Sequence, residues 1–199
     1  MKIIQIGCND GSDHVLEFCK QNLKNIKYLN LIDADKDSLL KCSQIYKELF
    51  QDDFDKIVKI ENLAISPVDC KELQLFAPED EKLSGFISFN YNHVKAHLHS
   101  EKIRSFYVPA RSLNNILLFS GNNIDWLFID TEGLDALNLF SIDFSLFRIQ
   151  NIVFEHIHTD GIVRTGPRFN ALCYYLQQFG YKFRQDEKQI GSYNTLAYL

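Results

Sequence analysis

Residues Lys2-Ile3-Ile4-Gln5-Ile6-Gly7-Cys8-Asn9-Asp10-Gly11, followed by Ser12 and Asp13, decide the fold. Lys2 to Ile6 is a short isoleucine-rich run that reads as a buried strand, and two glycines bracket the polar turn after it. From Asp13 to Leu23, Val15, Leu16, Phe18, Cys19 and Leu23 fall on one helical face. The same unit then repeats. Tyr28 to Ile32 is a second apolar run ending in Asp33-Ala34-Asp35, and Lys36 to Phe50 is helical, with Leu39, Leu40, Ile45, Tyr46 and Leu49 as its inner face. Two strand-helix units in a row imply a parallel sheet with helices on its faces.

The pattern continues less regularly. Ile57 to Ile65 reads as a third strand, which Pro67 ends because proline cannot donate to a ladder. Residues 69–104 concentrate charge and histidine, with one short strand candidate at Gly85 to Asn90. They read as a substrate-facing excursion over the sheet. Arg104 to Ala110 is a further strand candidate and Leu113 to Phe119 a helix. Trp126 to Ile129 is a buried strand, Leu134 to Phe140 a helix and Asn151 to Phe154 a strand. The tail holds a helix over Phe169 to Phe179, then Tyr181 to Arg184 and Asn194 to Tyr198 as an antiparallel hairpin split by Gly191-Ser192. The expected architecture is a single α/β domain over residues 1–199: a doubly wound, Rossmann-like, mostly parallel sheet closed by an antiparallel C-terminal edge hairpin.

Composition narrows the function. The 199 residues are 46% hydrophobic and 24% charged, too rich in core formers for a disordered chain. A net charge of -5 with no long basic run argues against sequence-independent nucleic-acid binding. Five scattered cysteines without a C-x-x-C pair fit a reduced setting rather than a disulfide framework or zinc knuckle. No run approaches the roughly 18 apolar residues of a membrane span, and the N-terminus lacks a signal-peptide stretch. A cytoplasmic protein without membrane or nucleic-acid partners is expected.

An open parallel sheet binds ligands beyond the carboxyl ends of its strands. Acids stand there repeatedly: Asp33, then Asp130 and Glu132, then Glu155. Asp33 lies 22 residues beyond Gly11, where a carboxylate accepts two hydrogen bonds from a ribose diol. A dinucleotide pyrophosphate needs G-x-G-x-x-G, whereas here Asn9 and Ser12 replace the later glycines and Asp10 would repel phosphate. A phosphate-free, cationic adenosine compound suits this turn better, which favours S-adenosylmethionine over a nicotinamide. The plainer account is that Gly7 and Gly11 only shape a turn and Asp33 only caps a helix.

The ordered motifs resemble the FkbM-type S-adenosylmethionine-dependent methyltransferases. Ile4-Gln5-Ile6-Gly7-Cys8-Asn9-Asp10-Gly11 is similar to their first motif, and Ile124-Asp125-Trp126-Leu127-Phe128-Ile129-Asp130-Thr131-Glu132-Gly133 to their D-x-E-G segment. Leu63-Ala64-Ile65-Ser66, Arg111-Ser112-Leu113 and Ile152-Val153-Phe154-Glu155 follow in the family's order. Two departures stand out: Asn114 and Asn115 replace a frequent pair of aspartates, and Thr131 replaces an aliphatic residue.

The resemblance implies the class I methyltransferase fold and methyl transfer to a hydroxyl on a sugar or glycosylated small molecule. On that reading Gly7 and Gly11 permit close backbone approach, Asn9 touches the methionyl end, Asp33 holds the ribose, and the backbone at Leu63 and Ala64 meets the adenine. Asp130 lies nearest the methyl-transfer position, where it binds the donor's ammonium or orients the acceptor. Acceptor recognition falls to residues 69–104 and the loops near 156–168. Glu132 and Gly133 divide evenly between site and structure, an acid at a helix start being also a dipole partner.

A proton acceptor is needed, and His156, directly after a strand end, is the candidate base. His156 and His158 share one face of an extended segment while Glu155 points the other way, unless the strand has already ended. A metal site built from His156, His158 and Asp130 is conceivable, but no metal ligands are assigned because the spacing matches no helix motif, and His93 and His97, in a stretch that is not clearly helical, read as solvated loop residues. Tyr91, Phe106, Tyr107 and Trp126 are candidate sugar platforms, with core packing the better reading for Trp126. The alternative function is a non-catalytic S-adenosylmethionine-binding module acting as a regulatory or scaffold protein.

Overall fold

The computed structural model describes residues 1–79, 85–97, 102–161, 166–185 and 193–199. Its main sheet has seven strands in the order β3-β2-β1-β7-β8-β10-β9. These are β1 (Lys2–Ile6), β2 (Tyr28–Asp33), β3 (Val58–Asn62), β7 (Asn123–Ile129), β8 (Arg148–Glu155), β9 (Lys182–Arg184) and β10 (Asn194–Tyr198). The first five in that spatial order run parallel, and β10 lies antiparallel between β8 and β9. The C-terminal hairpin is therefore present. Its Gly191-Ser192 turn lies outside the described residues, as do His99 and Arg164.

Alternation on β1 shows how the sheet is buried on both faces. Ile4 and Ile6 enter one cluster with Leu127, Ile129, Ile152 and Phe154, covered by α5 (Leu113–Ser120), α6 (Asp135–Phe140) and α7 (Pro167–Gln177). Ile3 enters the other with Leu29, Leu31, Phe128 and Val153, covered by α1 (His14–Asn22) and α2 (Lys36–Phe50). Each fully buried aliphatic side chain contributes roughly 1.5–3 kcal/mol. Asp13 and Asp35 start these last two helices. Asp13 Oδ1 accepts from the Val15 and Leu16 amides at 2.8 and 3.2 Å, and Asp35 Oδ2 from the Ser38 amide at 3.2 Å.

Two expectations need correction. The run Ile57 to Ile65 is two strands: Leu63 makes the last backbone bond to β2, its amide donating to the Asp33 carbonyl at 3.0 Å, and the chain then passes to another sheet. Val58–Asn62 pairs with β2, whereas β4 (Ala64–Ser66) joins a second, three-stranded sheet of order β4-β6-β5. Residues 69–104 are accordingly not a bare excursion. They contain β5 (Glu72–Pro78), α4 (Tyr91–His97) and the start of β6 (Ile103–Ser112). The alternation there is weak because only a small core of Ala64, Leu75, Val108 and Ala110 is covered. The strand expected at Gly85 to Asn90 shrinks to one bridge between Ser88 and Phe76. No described helix is long and apolar enough to cross a membrane.

Candidate functional site

The sheet order reverses between β1 and β7, and a cleft of about 750 Å³, open to solvent, lies beyond their carboxyl ends. Gly7 and Asn9, Asp33 and Ala34, Leu63 to Ile65, and Asp130 to Glu132 form its floor, while Leu73, Leu75, Ile87 and Phe89 of the second sheet and its following segment cover it. The break at Leu63 is what makes room: one apolar run serves two sheets and leaves Leu63 and Ala64 at the fork. Ile6, Gly7 and Asp130 also border a second cavity, reached from the α1 side, whose wall includes Asp13, His14 and Glu155.

The turn after β1 is built by close packing. Gly7 has φ +74°, and a Cβ there would lie 1.8 Å from the Asp130 carbonyl oxygen, so no other residue lets the β1 and β7 ends meet. Gly11 has φ +78°, and its Cβ would press on Cys42 of α2, 2.8 Å from Sγ. The glycines thus admit neighbouring protein. Gly7 also lines the cleft, but Gly11 is buried against α2 and does not.

Asp33 ends β2 with both oxygens directed by backbone. Oδ2 accepts from the Asn9 amide at 2.7 Å and Oδ1 from the Asp35 amide at 2.8 Å, leaving lone pairs free for further donors. Burial raises its carboxyl to about 6, although the Asp35 and Asn9 amides oppose the shift. Asp130 stands two strands away across β1, roughly 10 Å at ordinary strand spacing. It keeps surface open to the cleft, yet its enclosure by protein, with the Glu155 carboxylate as a second cause, raises it to about 7.

Beyond Asp130 the chain turns sharply. Glu132 has φ +48°, a conformation a non-glycine residue holds only under constraint. The segment before α4 supplies it: Ser88 Oγ donates to the Glu132 carbonyl at 2.6 Å. Asp135, which the sequence reading did not single out, is wholly buried. Its Oδ1 accepts from the Thr131 amide and hydroxyl at 2.8 and 3.0 Å, which gives the departure at Thr131 a structural purpose. Burial and the Asp130 charge push the Asp135 carboxyl well above the ordinary range, and the same two causes act on Glu132.

The histidines arrange themselves differently from expectation. His156 points away from the crevice: Nδ1 lies 3.2 Å from Thr195 Oγ1, the ring rests on Phe169, and neither cavity wall includes it. β8 ends at Glu155, so the chain turns and brings His158 back, with Nδ1 beside Glu155 Oε2 and 3.3 Å from Glu132 Oε2. His93 and His97 are not solvated loop residues. They lie on α4, where His93 is fully buried and places Nε2 2.8 Å from Glu132 Oε2. Asn114 and Asn115 hold loops: Asn114 Nδ2 donates to the Ser141 carbonyl at 2.8 Å and Asn115 Nδ2 to Asp69 Oδ1 at 2.6 Å. Among the aromatic candidates, Trp126 stacks on Phe128 in the core and Tyr107 is exposed away from the cleft wall. Phe89 is the ring that lines the cleft.

These residues fit the phosphate-free adenosine donor. Asp33 offers the cleft a carboxylate with acceptor capacity to spare, apolar side chains flank the fork at Leu63 and Ala64, and acids, not bases, line the β7 end. The family described as Methyltransferase FkbM domain matches residues 5–183. Among solved structures, the chain is similar to methyltransferase FkbM from Methylobacillus flagellatus KT, with TM-score 0.58 and 10% identity. The alignment covers 100% of this chain and 43% of that one, so the chain spans less than half of that protein's length. The methyltransferase domain of bacterial CtHen1 gives TM-score 0.48 at 14% identity over 100% of this chain and 90% of that one. The plantazolicin methyltransferase BamL gives 0.44 at 12% over 98% and 74%. At those scores the last two carry no argument. No curated protein matches the chain. With 179 consecutive positions matched to one family and the strand order of that fold, the chain belongs to the FkbM methyltransferase family.

Proposed function

We propose that the protein is an S-adenosylmethionine-dependent O-methyltransferase acting on a hydroxyl of a sugar or glycosylated small molecule. The observation that supports this best is the position of Asp33: its carboxylate is fixed by two backbone amides at the lip of a cleft whose other end carries Asp130 and Glu132.

When bound, the donor supplies a methyl carbon made electrophilic by its sulfonium. Asp33 holds the ribose hydroxyls, Asn9 meets the methionyl end, and the Leu63 and Ala64 backbone borders the adenine. The second sheet and Phe89 exclude water from the cleft, which strengthens the polar contacts inside. Asp130 orients the acceptor hydroxyl and takes its proton as the oxygen bonds to the methyl carbon. A carboxyl held near pH 7 suits that task, since a base works best when its pKa is close to the working pH. The 69–104 segment, clamped to the β7 turn through Ser88, faces the acceptor.

The test is an array of hydroxylated glycans and glycosylated small molecules incubated with labelled donor. Transfer of label with release of S-adenosylhomocysteine is expected for at least one class. Tight donor binding without product on any hydroxyl acceptor would instead favour the non-catalytic binding module.

A further inference from the structure

Three histidines meet behind the cleft wall, and their arrangement is that of a ligand set. One ring nitrogen from each of His93, His97 and His158 lies within 4.8 Å of the other two. The ring centroids are 4.5 to 5.4 Å apart, with His93 and His97 one turn apart on α4 and His158 arriving from the loop after β8. In His93 and His97 a second nitrogen is hydrogen-bonded to an oxygen, and in His158 it packs against two carboxylates without a hydrogen bond. His97 Nδ1 lies 3.1 Å from the His93 carbonyl, His93 Nε2 lies 2.8 Å from Glu132, and His158 Nδ1 lies against Glu155 and Glu132. Metal-bound imidazoles are oriented in this way, one nitrogen on a carbonyl or carboxylate and the other on the ion.

The remaining nitrogens call for a partner. His93 is 0% and His158 5% exposed, and His93 Nδ1 and both ring nitrogens of His158 have no hydrogen-bond partner among the described residues. Buried polar atoms left in that state are costly, and three on two neighbouring rings are hard to explain in an apolar core role. The adjoining Glu132 and Glu155 carboxylates supply negative charge that a bound cation would balance.

We infer that His93, His97 and His158 bind one divalent transition-metal ion, with Glu132 and Glu155 orienting the imidazoles. Three imidazoles with an open fourth position suit zinc, whereas magnesium prefers oxygen ligands. Zinc–nitrogen distances are about 2.0–2.1 Å, so nitrogens within 4.8 Å close on one ion by side-chain adjustment. Glu132 touches His93 and His158 and also lines the donor cleft, so ion and cleft share a wall. An ion there would ease loss of a proton from an acceptor hydroxyl bound to it. That use of the ion rests on the methyl-transfer reading, but the ion site does not.

Chelator-treated protein is titrated by calorimetry with Zn²⁺, with Mg²⁺, and separately with S-adenosylhomocysteine. One Zn²⁺ per chain is expected, with Mg²⁺ bound at least about 100-fold more weakly. His97→Ala, at the half-buried position least needed for folding, should weaken Zn²⁺ by about 100-fold or more, while His156→Ala changes it by less than about threefold. Because changing a buried ligand can unfold the chain, Co²⁺ loading of the unaltered protein gives an independent reading: visible ligand-field bands of a nitrogen-ligated ion, displaced by one equivalent of Zn²⁺. Absence of stoichiometric Zn²⁺ binding, or unchanged affinity in a folded His97→Ala protein, would overturn the site. Equal Mg²⁺ affinity would overturn it too, assigning the ion to the Glu132 and Glu155 oxygens. S-adenosylhomocysteine binding that persists whatever Zn²⁺ does separates this failure from failure of the donor reading.

Discussion

At the scale of single residues, the account turns on two carboxylates whose ordinary acidity is displaced. Asp33 must be ionised to accept two ribose hydrogen bonds, yet burial holds its carboxyl at about 6. Lowering the pH through about 6 therefore protonates it and removes acceptor capacity. Donor affinity should fall through that range and reach a plateau above it. In Asp33→Asn the part of the fall centred near 6 should disappear, leaving that of Asp130 near 7, and affinity at pH 8 should drop about 5- to 150-fold, the equivalent of about 1–3 kcal/mol for lost charge-assisted bonds. Calorimetric titration at several pH values checks both. On the proposed mechanism Asp130 takes the acceptor proton, so Asp130→Asn should lower kcat by about 10²- to 10⁴-fold. His156→Ala, whose ring faces Thr195 and Phe169, should leave kcat within a few-fold, and single-turnover rates on the best acceptor distinguish the two. The choice between His156 and His158 could not be made from sequence. Both follow a strand end, and only the chain reversal after Glu155 decides which imidazole returns to the acids.

Elements show which signals in the chain were sufficient. α2 occupies the residues its periodicity indicates, Lys36–Phe50, because Asp35 caps it and its apolar stripe is long. Its inner face is rotated slightly: Leu40 is 55% exposed, and Cys42 and Phe50 take the buried places. Asp35→Ala should cost about 0.5–2 kcal/mol in chemical denaturation through loss of the cap. Donor affinity should be retained in that variant, because Asp33 is held by the Asp35 backbone amide, which alanine keeps. A parallel loss of donor binding would show that the α2 start and the ribose site are not separable. The fork at Leu63 was hidden, since an apolar run that serves two sheets looks like one strand when read residue by residue. α4 was hidden as well. It is seven residues long, too short for a clear period, and the buried His93 and Val94 give it little apolar signature.

For the whole molecule, the parallel sheet and hairpin edge were legible because every strand but the short ones alternates with a patterned helix or a glycine turn. The site was legible where it depends on strand ends: Asn9, Asp33, Leu63, Ala64 and Asp130 all reach one cleft. It was not legible where distant segments converge, as Phe89, Glu132, His93 and His158 do, because nothing local marks a contact between residues some 40 to 65 positions apart. Gly11, counted with the cleft from its place in the turn, serves the α2 contact instead. The second sheet, which takes β5 from residues read as an excursion, supplies one wall of the cleft over the row of strand ends. The most direct test is diffraction from crystals grown with S-adenosylhomocysteine. The ribose hydroxyls should lie on the Asp33 carboxylate, the adenine beside Leu63 and Ala64, and the sulfur toward Asp130. A cleft that stays empty at saturating ligand, or a ligand whose ribose lies away from Asp33, would contradict the account.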